Sequence, residues 1–325
     1  MIIARSPLRL TLGGGGTDFP SYYREHGGYL LAACINKYVY VTVHRSFANE
    51  MLLRYSSTER PEHASEIKHP IIREAMGLLD FTKEPLEITT MADIPAGTGL
   101  GSSGSFGTAI LKALHRYRRQ VISHKELAEL ACHIEIDLLG EPVGKQDQYT
   151  AAFGGINSYE FCQDGTVIVK ALKITEDTLT LFRRQVLLFC TGITRRASDI
   201  LQDQQNKTTS HDQAMLANLA FIKELGHRSQ EALEAGDLTT FGKLLHQHWE
   251  HKKRRSKDIS NPFIEECYSK AMGAGCLGGK LIGAGGGGFL MFCTEDPLEL
   301  RKVMAELGLM EMDYDFEFEG TTLLT

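Results

Sequence analysis

The sequence predicts an α+β protein of two domains. Three observations carry that prediction. The chain has 325 residues, against roughly 150 for a typical domain. Its first half reads mainly as strands, and its second half turns to long helical patterns before closing on strand, loop, strand. Its 32 glycines are unevenly placed, with three clusters at Gly13–Gly16, Gly97–Gly107 and Gly283–Gly288, each flanked by apolar residues rather than by the serine-rich stretches of a linker.

In chain order, residues 2–12 alternate loosely and predict a strand running into the first glycine cluster. Residues 29–44, rich in β-branched and aromatic side chains, predict one or two strands. Residues 86–94 predict another, stopped by Pro95. After the second cluster, Phe106, Ala109, Ile110, Ala113, Leu114 and Tyr117 fall on one face of a helix beginning near Ser103. A further helix is expected from Ser123, with Glu126 completing a capping box, to about Leu139. Residues 185–191 suit a buried strand, residues 211–235 and 237–257 long helices, and 278–292 a strand, a glycine loop and a strand. The boundary is set so that residues 1–185 form one domain and 186–325 the other.

Hydrophobic residues make up 42% and charged residues 23% of the chain, which excludes disordered, fibrous and collagen-like classes. The net charge of -6 lacks the basic field of a nucleic-acid binder, so no nucleic-acid partner is expected. Seven scattered cysteines, none spaced C-x-x-C, read as buried thiols in a reducing compartment. Arg5, Pro7 and Arg9 interrupt any signal-peptide core, and no run is long and apolar enough to span a bilayer. A cytoplasmic protein without a membrane partner is expected, and no feature sets its oligomeric state.

The middle cluster, Pro95 to Gly104, lies between a strand and a strong helix. A helix N-terminus presents free N–H groups and partial positive charge, and glycines admit phosphate oxygens to the backbone. This favours a phosphate cradle over a glycine-rich turn capped by serine. It is no Walker A loop, because Ser105 stands where that motif needs lysine. Gly99 to Gly104 fits the dinucleotide G-x-G-x-x-G, but a second helix follows where a Rossmann unit needs a strand.

Arg9 to Asp18, Pro95 to Ser103 (P-x-x-x-G-L-G-S-S) and Lys280 to Phe289 resemble the three ordered motifs of the GHMP kinases. Within that superfamily, Pro7-Leu8-Arg9-Leu10, Gly14 to Asp18, Gly144 to Tyr149, Phe153 to Gly155 and Thr191 to Arg195 are most similar to the kinases of D-glycero-D-manno-heptose 7-phosphate. Gly-Gly-Gly-Thr-Asp-Phe here replaces the G-E-H-T-D-Y of a galactokinase. The resemblance implies an N-terminal domain like domain 2 of ribosomal protein S5, a ferredoxin-like C-terminal domain, and a site between them that uses ATP and Mg²⁺. The implied activity is phosphorylation of the anomeric hydroxyl of that sugar phosphate to the 1,7-bisphosphate. Other readings are a kinase for another sugar, such as fucose or galactose, and a silent nucleotide-binding regulator.

Carried over residue by residue, the resemblance assigns Asp147 to the acceptor hydroxyl; Arg9 would lie near the transferring phosphoryl or the acceptor oxygen, and Lys145 would hold the Asp147 charge or steady the γ-phosphate. Pro95, Gly97, Gly99, Leu100, Gly101, Ser102 and Ser103 would cradle ATP, and Ser103 and Glu135 would hold Mg²⁺. Gly15, Gly16, Thr17, Asp18, Arg195, Lys280, Gly285, Gly286 and Gly287 would bind the sugar phosphate. Taken alone, Glu135 reads as a solvated helix charge, Arg9 as a strand-end salt bridge and Asp147 as a helix cap. The Lys252 to Lys257 basic run is a further candidate for the phosphate. His246, His248 and His251 do not match a zinc motif, and Trp249 reads as a core anchor.

Overall fold

The computed structural model describes residues 1–194 and 198–325. Two sheets organise it. The first has eight strands, and its spine is the long antiparallel pair Ile2–Gly14 and Gly28–Arg45. The second of these is the segment read as one or two strands. It is a single element that changes partner part-way, because the register shifts between Pro7 and Leu8. Gly28 to Ala33 pair with Ile156–Phe161, and Val39 to Arg45 pair with Leu86–Ala92. Short strands Leu52–Arg54 and Thr58–Glu59 extend one edge.

Helix Ser102–Tyr117 packs its apolar face on this sheet, with Ala109, Ile110, Ala113 and Leu114 fully buried, as the periodicity predicts. Ser123 caps helix His124–Cys132 through the expected box with Glu126. That helix then widens over His133–Leu138 into a π-turn, where Leu139 N–H donates to Ile134 O five residues back. Such turns re-aim side chains and recur at functional sites. Here the widened turn carries Glu135.

The second sheet is Val186–Cys190, Cys276–Leu281, Phe289–Thr294 and Met310–Glu311, all antiparallel. Taken in chain order its spatial arrangement is 4-1-3-2, the ferredoxin-like pattern. Helices Gln213–Glu234 and Leu238–Lys253 precede the middle strands, and Pro297–Glu306 joins the last two. Trp249 is fully buried in this half's own core, as expected. At the chain end Thr322–Leu323 returns to pair with Arg5 and Ala4 in the first sheet.

Candidate active site

A cavity of about 670 Å³ is lined by residues of both halves. Its first wall is made by two helix N-termini brought side by side. Gly104, near the start of Ser102–Tyr117, lies so close to the other helix, Gln146–Phe153, that a Cβ there would stand 2.7 Å from the Asp147 backbone. Only glycine permits that approach, and it places Ser102, Ser103 and Asp147 together at the positive ends of both helices. Gly101, at φ 82°, turns the chain into the first of them.

Arg9 ties this wall to the first strand. Its Nε donates to Asp147 Oδ1 at 2.8 Å, its Nη2 lies 2.8 Å from the same oxygen as an ion pair, and its Nη1 donates to Gly99 O. Its backbone N–H reaches Leu100 O at 3.0 Å, so strand and loop are stitched at one residue. Arg9 uses only one Asp147 oxygen, which leaves Oδ2 for another donor.

Beneath the serines lies Glu135, buried against Gln148 Nε2 at 2.8 Å and hydrogen-bonded by Ser103. Burial raises its pKa to about 7, opposed by those two bonds. Among the described residues, Ser102 Oγ and Gln148 Oε1 are buried without hydrogen-bond partners. Two neutral donors on a buried carboxylate, beside an orphaned hydroxyl, form an oxygen set that suits a hard cation.

The second wall begins at the first glycine loop. Gly14, Gly15 and Gly16 all have positive φ, a path costly for any other residue type. They return the chain so that Gly16 N–H donates to Asp18 Oδ1 at 2.9 Å and Gln146 N–H to Oδ2 at 3.2 Å. A Cβ on Gly144 would lie 2.0 Å from that carboxylate, so Gly144 is required by Asp18. Burial pushes the Asp18 carboxyl up to about 6. Behind it, Arg255 donates to Gly15 O at 3.3 Å and Asn218 Oδ1 at 3.0 Å. Lys252 donates to Leu281 O and Gly283 O, and Lys280 lies 3.3 Å from His248 Nδ1. The third glycine loop closes on the second, with a Cβ on Gly283 only 2.4 Å from Gly99 Cα.

Family comparison agrees with this geometry. Residues 68–155 match the model of the GHMP kinases N terminal domain, and residues 229–309 that of the GHMP kinases C terminal domain. This chain is a GHMP kinase. A relative named D-glycero-alpha-D-manno-heptose 7-phosphate kinase, from Campylobacter jejuni subsp. jejuni serotype O:2, is 33% identical, over 98% of this chain and 97% of that protein. The crystal structure of a D-glycero-D-manno-heptose 1-phosphate kinase from Bacteroides thetaiotaomicron superposes with a TM-score of 0.81 at 28% identity, covering 100% of this chain and 99% of that one. An L-fucokinase/L-fucose-1-P guanylyltransferase from Bacteroides fragilis is 28% identical over 94% of this chain but only 36% of its own length. The chain is therefore a sugar kinase of this family, whose members take phosphate from ATP, and among the described residues no helix is long and apolar enough to cross a membrane.

The kinase gathers most of the expected residues into one place. Arg9, Gly15, Gly16, Asp18, Gly97, Gly99, Gly101, Ser102, Ser103, Asp147 and Lys280 line the cavity, with Glu135 directly behind. Others are corrected. Lys145 turns away: its ammonium binds Glu129 at 3.0 and 3.2 Å and Gly165 O at 2.9 Å, because the side chains at 145 and 147 leave opposite faces of one helical turn. Thr17 is fully buried and its hydroxyl is spent on the Tyr29 backbone. Leu100 packs in the core, and Pro95 accepts from Thr98, so both shape the loop from outside the cavity. Gly285, Gly286 and Gly287 are packing glycines. The Gly286 N–H is taken by Ile259 O, and a Cβ at 285 or 287 would meet Ile259 or Ile193. Gly283 and Ala284 line the cavity instead. Arg195 lies outside the described residues.

Sequence reasoning undervalued His248, Lys252 and Arg255 and missed Gln146, Gln148 and Gln204, all of which line the cavity. A signal was present for the first three, since positions 248, 252 and 255 share a helical face. The structure divides the basic run on that period: Lys252 and Arg255 point inward, while Lys253 pairs outward with Glu250 and Glu265.

Proposed function

We propose that this kinase transfers the γ-phosphoryl of Mg·ATP to the anomeric hydroxyl of D-glycero-D-manno-heptose 7-phosphate, giving the 1,7-bisphosphate. The observation that carries the chemistry is the Asp147–Arg9 pair at the meeting of two helix N-termini. Residues 1–185 act as the ATP-binding domain, and residues 186–325 close the acceptor side.

Phosphoryl transfer asks for positioning and charge stabilisation more than covalent help. The Gly97–Ser103 loop and the helix behind it offer N–H groups and dipole to the donor phosphates. Ser103 and Glu135 would hold Mg²⁺, with Ser102 beside them. The cation, when bound, neutralises charge on the transferring phosphoryl. Asp147 Oδ2 accepts the proton of the acceptor hydroxyl and aims its oxygen, while Arg9 locks Oδ1 and presents positive charge to the phosphoryl. Asp18 accepts from sugar hydroxyls, its two oxygens held by Gly16 and Gln146.

The choice of acceptor rests on the relative named for that sugar phosphate and on the cation-rich second wall. Release of ADP, measured with Mg·ATP over heptose 7-phosphate, sedoheptulose 7-phosphate, mannose 6-phosphate, fucose, galactose, mevalonate and homoserine, tests it. Turnover confined to the heptose phosphate is expected. Faster turnover of free fucose or galactose would reject the acceptor and keep the transfer chemistry. ATP binding with no turnover of any acceptor would favour a regulator.

A further inference from the structure

Lys252, Arg255 and Lys280 present an electrostatic imbalance. All three are buried, at 7%, 6% and 2% exposure. Among the described residues none has a carboxylate within ion-pair distance, whereas Arg9 in the same cavity is paired at 2.8 Å. An unpaired buried charge costs several kcal/mol, and three in one wall are unusual without an anion to meet them. Their present partners are weak substitutes. Lys252 spends two of its three N–H groups on the carbonyls of Leu281 and Gly283. Lys280 spends one on His248 Nδ1. Donors remain over on both ammonium groups.

The wall reaches the acceptor side of the cavity through Arg255. Arg255 sits under the first glycine loop, with Nη1 2.5 Å from where a Gly16 Cβ would be and Nη2 on Gly15 O. Gly16 in turn holds Asp18. Arg255 therefore belongs with the sugar-binding side of the cavity, with Lys252 and Lys280 within its electrostatic reach, whereas Ser102, Ser103 and Glu135 mark the donor side. Burial, then Arg255 and Arg9, bring Lys252 to about 7, and burial, then Lys252, Arg255 and Arg9, push Lys280 down.

We propose that Lys252, Arg255 and Lys280 form the subsite for the phosphate already carried by the acceptor, and that this subsite, rather than contacts to the sugar ring, selects phosphorylated over free sugars. The proposal rests on the acceptor reading above, and its test is chosen to fail separately. In the first arm, inorganic phosphate is titrated calorimetrically into protein saturated with Mg·AMPPNP. Wild type is expected to bind it, and Lys252→Met and Lys280→Met to lose at least ~10-fold in affinity. Phosphate displacing AMPPNP, or binding both variants as it binds wild type, would overturn the subsite. In the second arm, the ratio of kcat/KM for heptose 7-phosphate to that for the unphosphorylated heptose is expected to fall at least ~10-fold in Lys252→Met, with the KM for ATP changed less than about threefold. A preserved ratio, or a KM effect on ATP alone, would overturn the proposal while leaving the acceptor intact. Phosphate binding lost in the variants, with no heptose phosphate turned over by wild type, would keep the subsite and discard the heptose. Lys252→Met is expected to melt no lower than wild type, because methionine fills the same space without a charge to desolvate.

Discussion

The two walls of the cavity differ less in how they are assembled than in how their charges are met. On the donor wall, Arg9 meets Asp147 across 138 residues, and Gly101 and Gly104 bracket Ser102 and Ser103. Each glycine has a stated job in the turn or close approach beside it. On the acceptor wall, Arg255 meets Gly15 across 240 residues and Lys252 meets Leu281 across 29. Their electrostatics differ more. The donor wall pairs its charges, with Arg9 on Asp147 and neutral donors on Glu135, whereas the acceptor wall concentrates three cations that, among the described residues, have no carboxylate at ion-pair distance, Asp18 acting on Arg255 from further off. A wall whose charges are internally paired is ready to work on a neutral hydroxyl. A wall of unpaired cations waits for an anion.

The sharpest way to break this contrast is Asp147→Asn. Loss of the carboxylate that Arg9 pairs with should lower kcat by about 10²–10⁴-fold while ADP binding, read by calorimetry, stays within a few-fold of wild type. Near-normal turnover would remove Asp147 from the chemistry. Glu135→Gln should come next: the half-saturating Mg²⁺ concentration, from turnover at fixed ATP, should rise at least about tenfold. An unchanged Mg²⁺ dependence would show that the buried carboxylate serves the fold alone.

The acceptor wall makes its own prediction in pH. The Lys252 pKa is lowered to about 7 in the folded protein, from 10.5, by burial first and then by Arg255 and Arg9. Between those values the unfolded chain binds the extra proton, so this group's contribution to stability is present at high pH and is lost as pH falls through 7. A bound phosphate reverses the preference by holding the ammonium form. Affinity for inorganic phosphate should therefore weaken by up to about tenfold per pH unit above 7, a slope shared by the nearby Lys280 and reduced in Lys252→Met. A flat profile in wild type from pH 7 to 9 would separate Lys252 from anion binding.

The smallest effect expected is at Lys145. Its ammonium faces Glu129, so Lys145→Met should cost about 1–2 kcal/mol of stability, measured by denaturant unfolding, and change kcat less than about threefold. A loss of orders of magnitude in kcat would restore Lys145 to the reacting phosphoryl.

The sequence by itself determined the α+β class, the main strand–glycine–helix succession and the capping box at Ser123. Those features depend on neighbours a few positions apart: side-chain period, cap chemistry and the φ freedom of glycine act over one or two turns. Glu135 was legible only through its likeness to a family motif. Read alone it is one more helix charge, and its burial arises from a π-turn that no pattern of residue types announces. The tertiary structure decided everything set by direction at long range. It turned Lys145 outward and Lys252 inward, withdrew Thr17 and Leu100 into the core, and made Gly285–Gly287 a packing surface for Ile193 and Ile259. It also decided that three cations share one wall. A sequence shows that charges exist, but whether a buried charge has a partner depends on which distant segments the fold brings within a few ångströms of it.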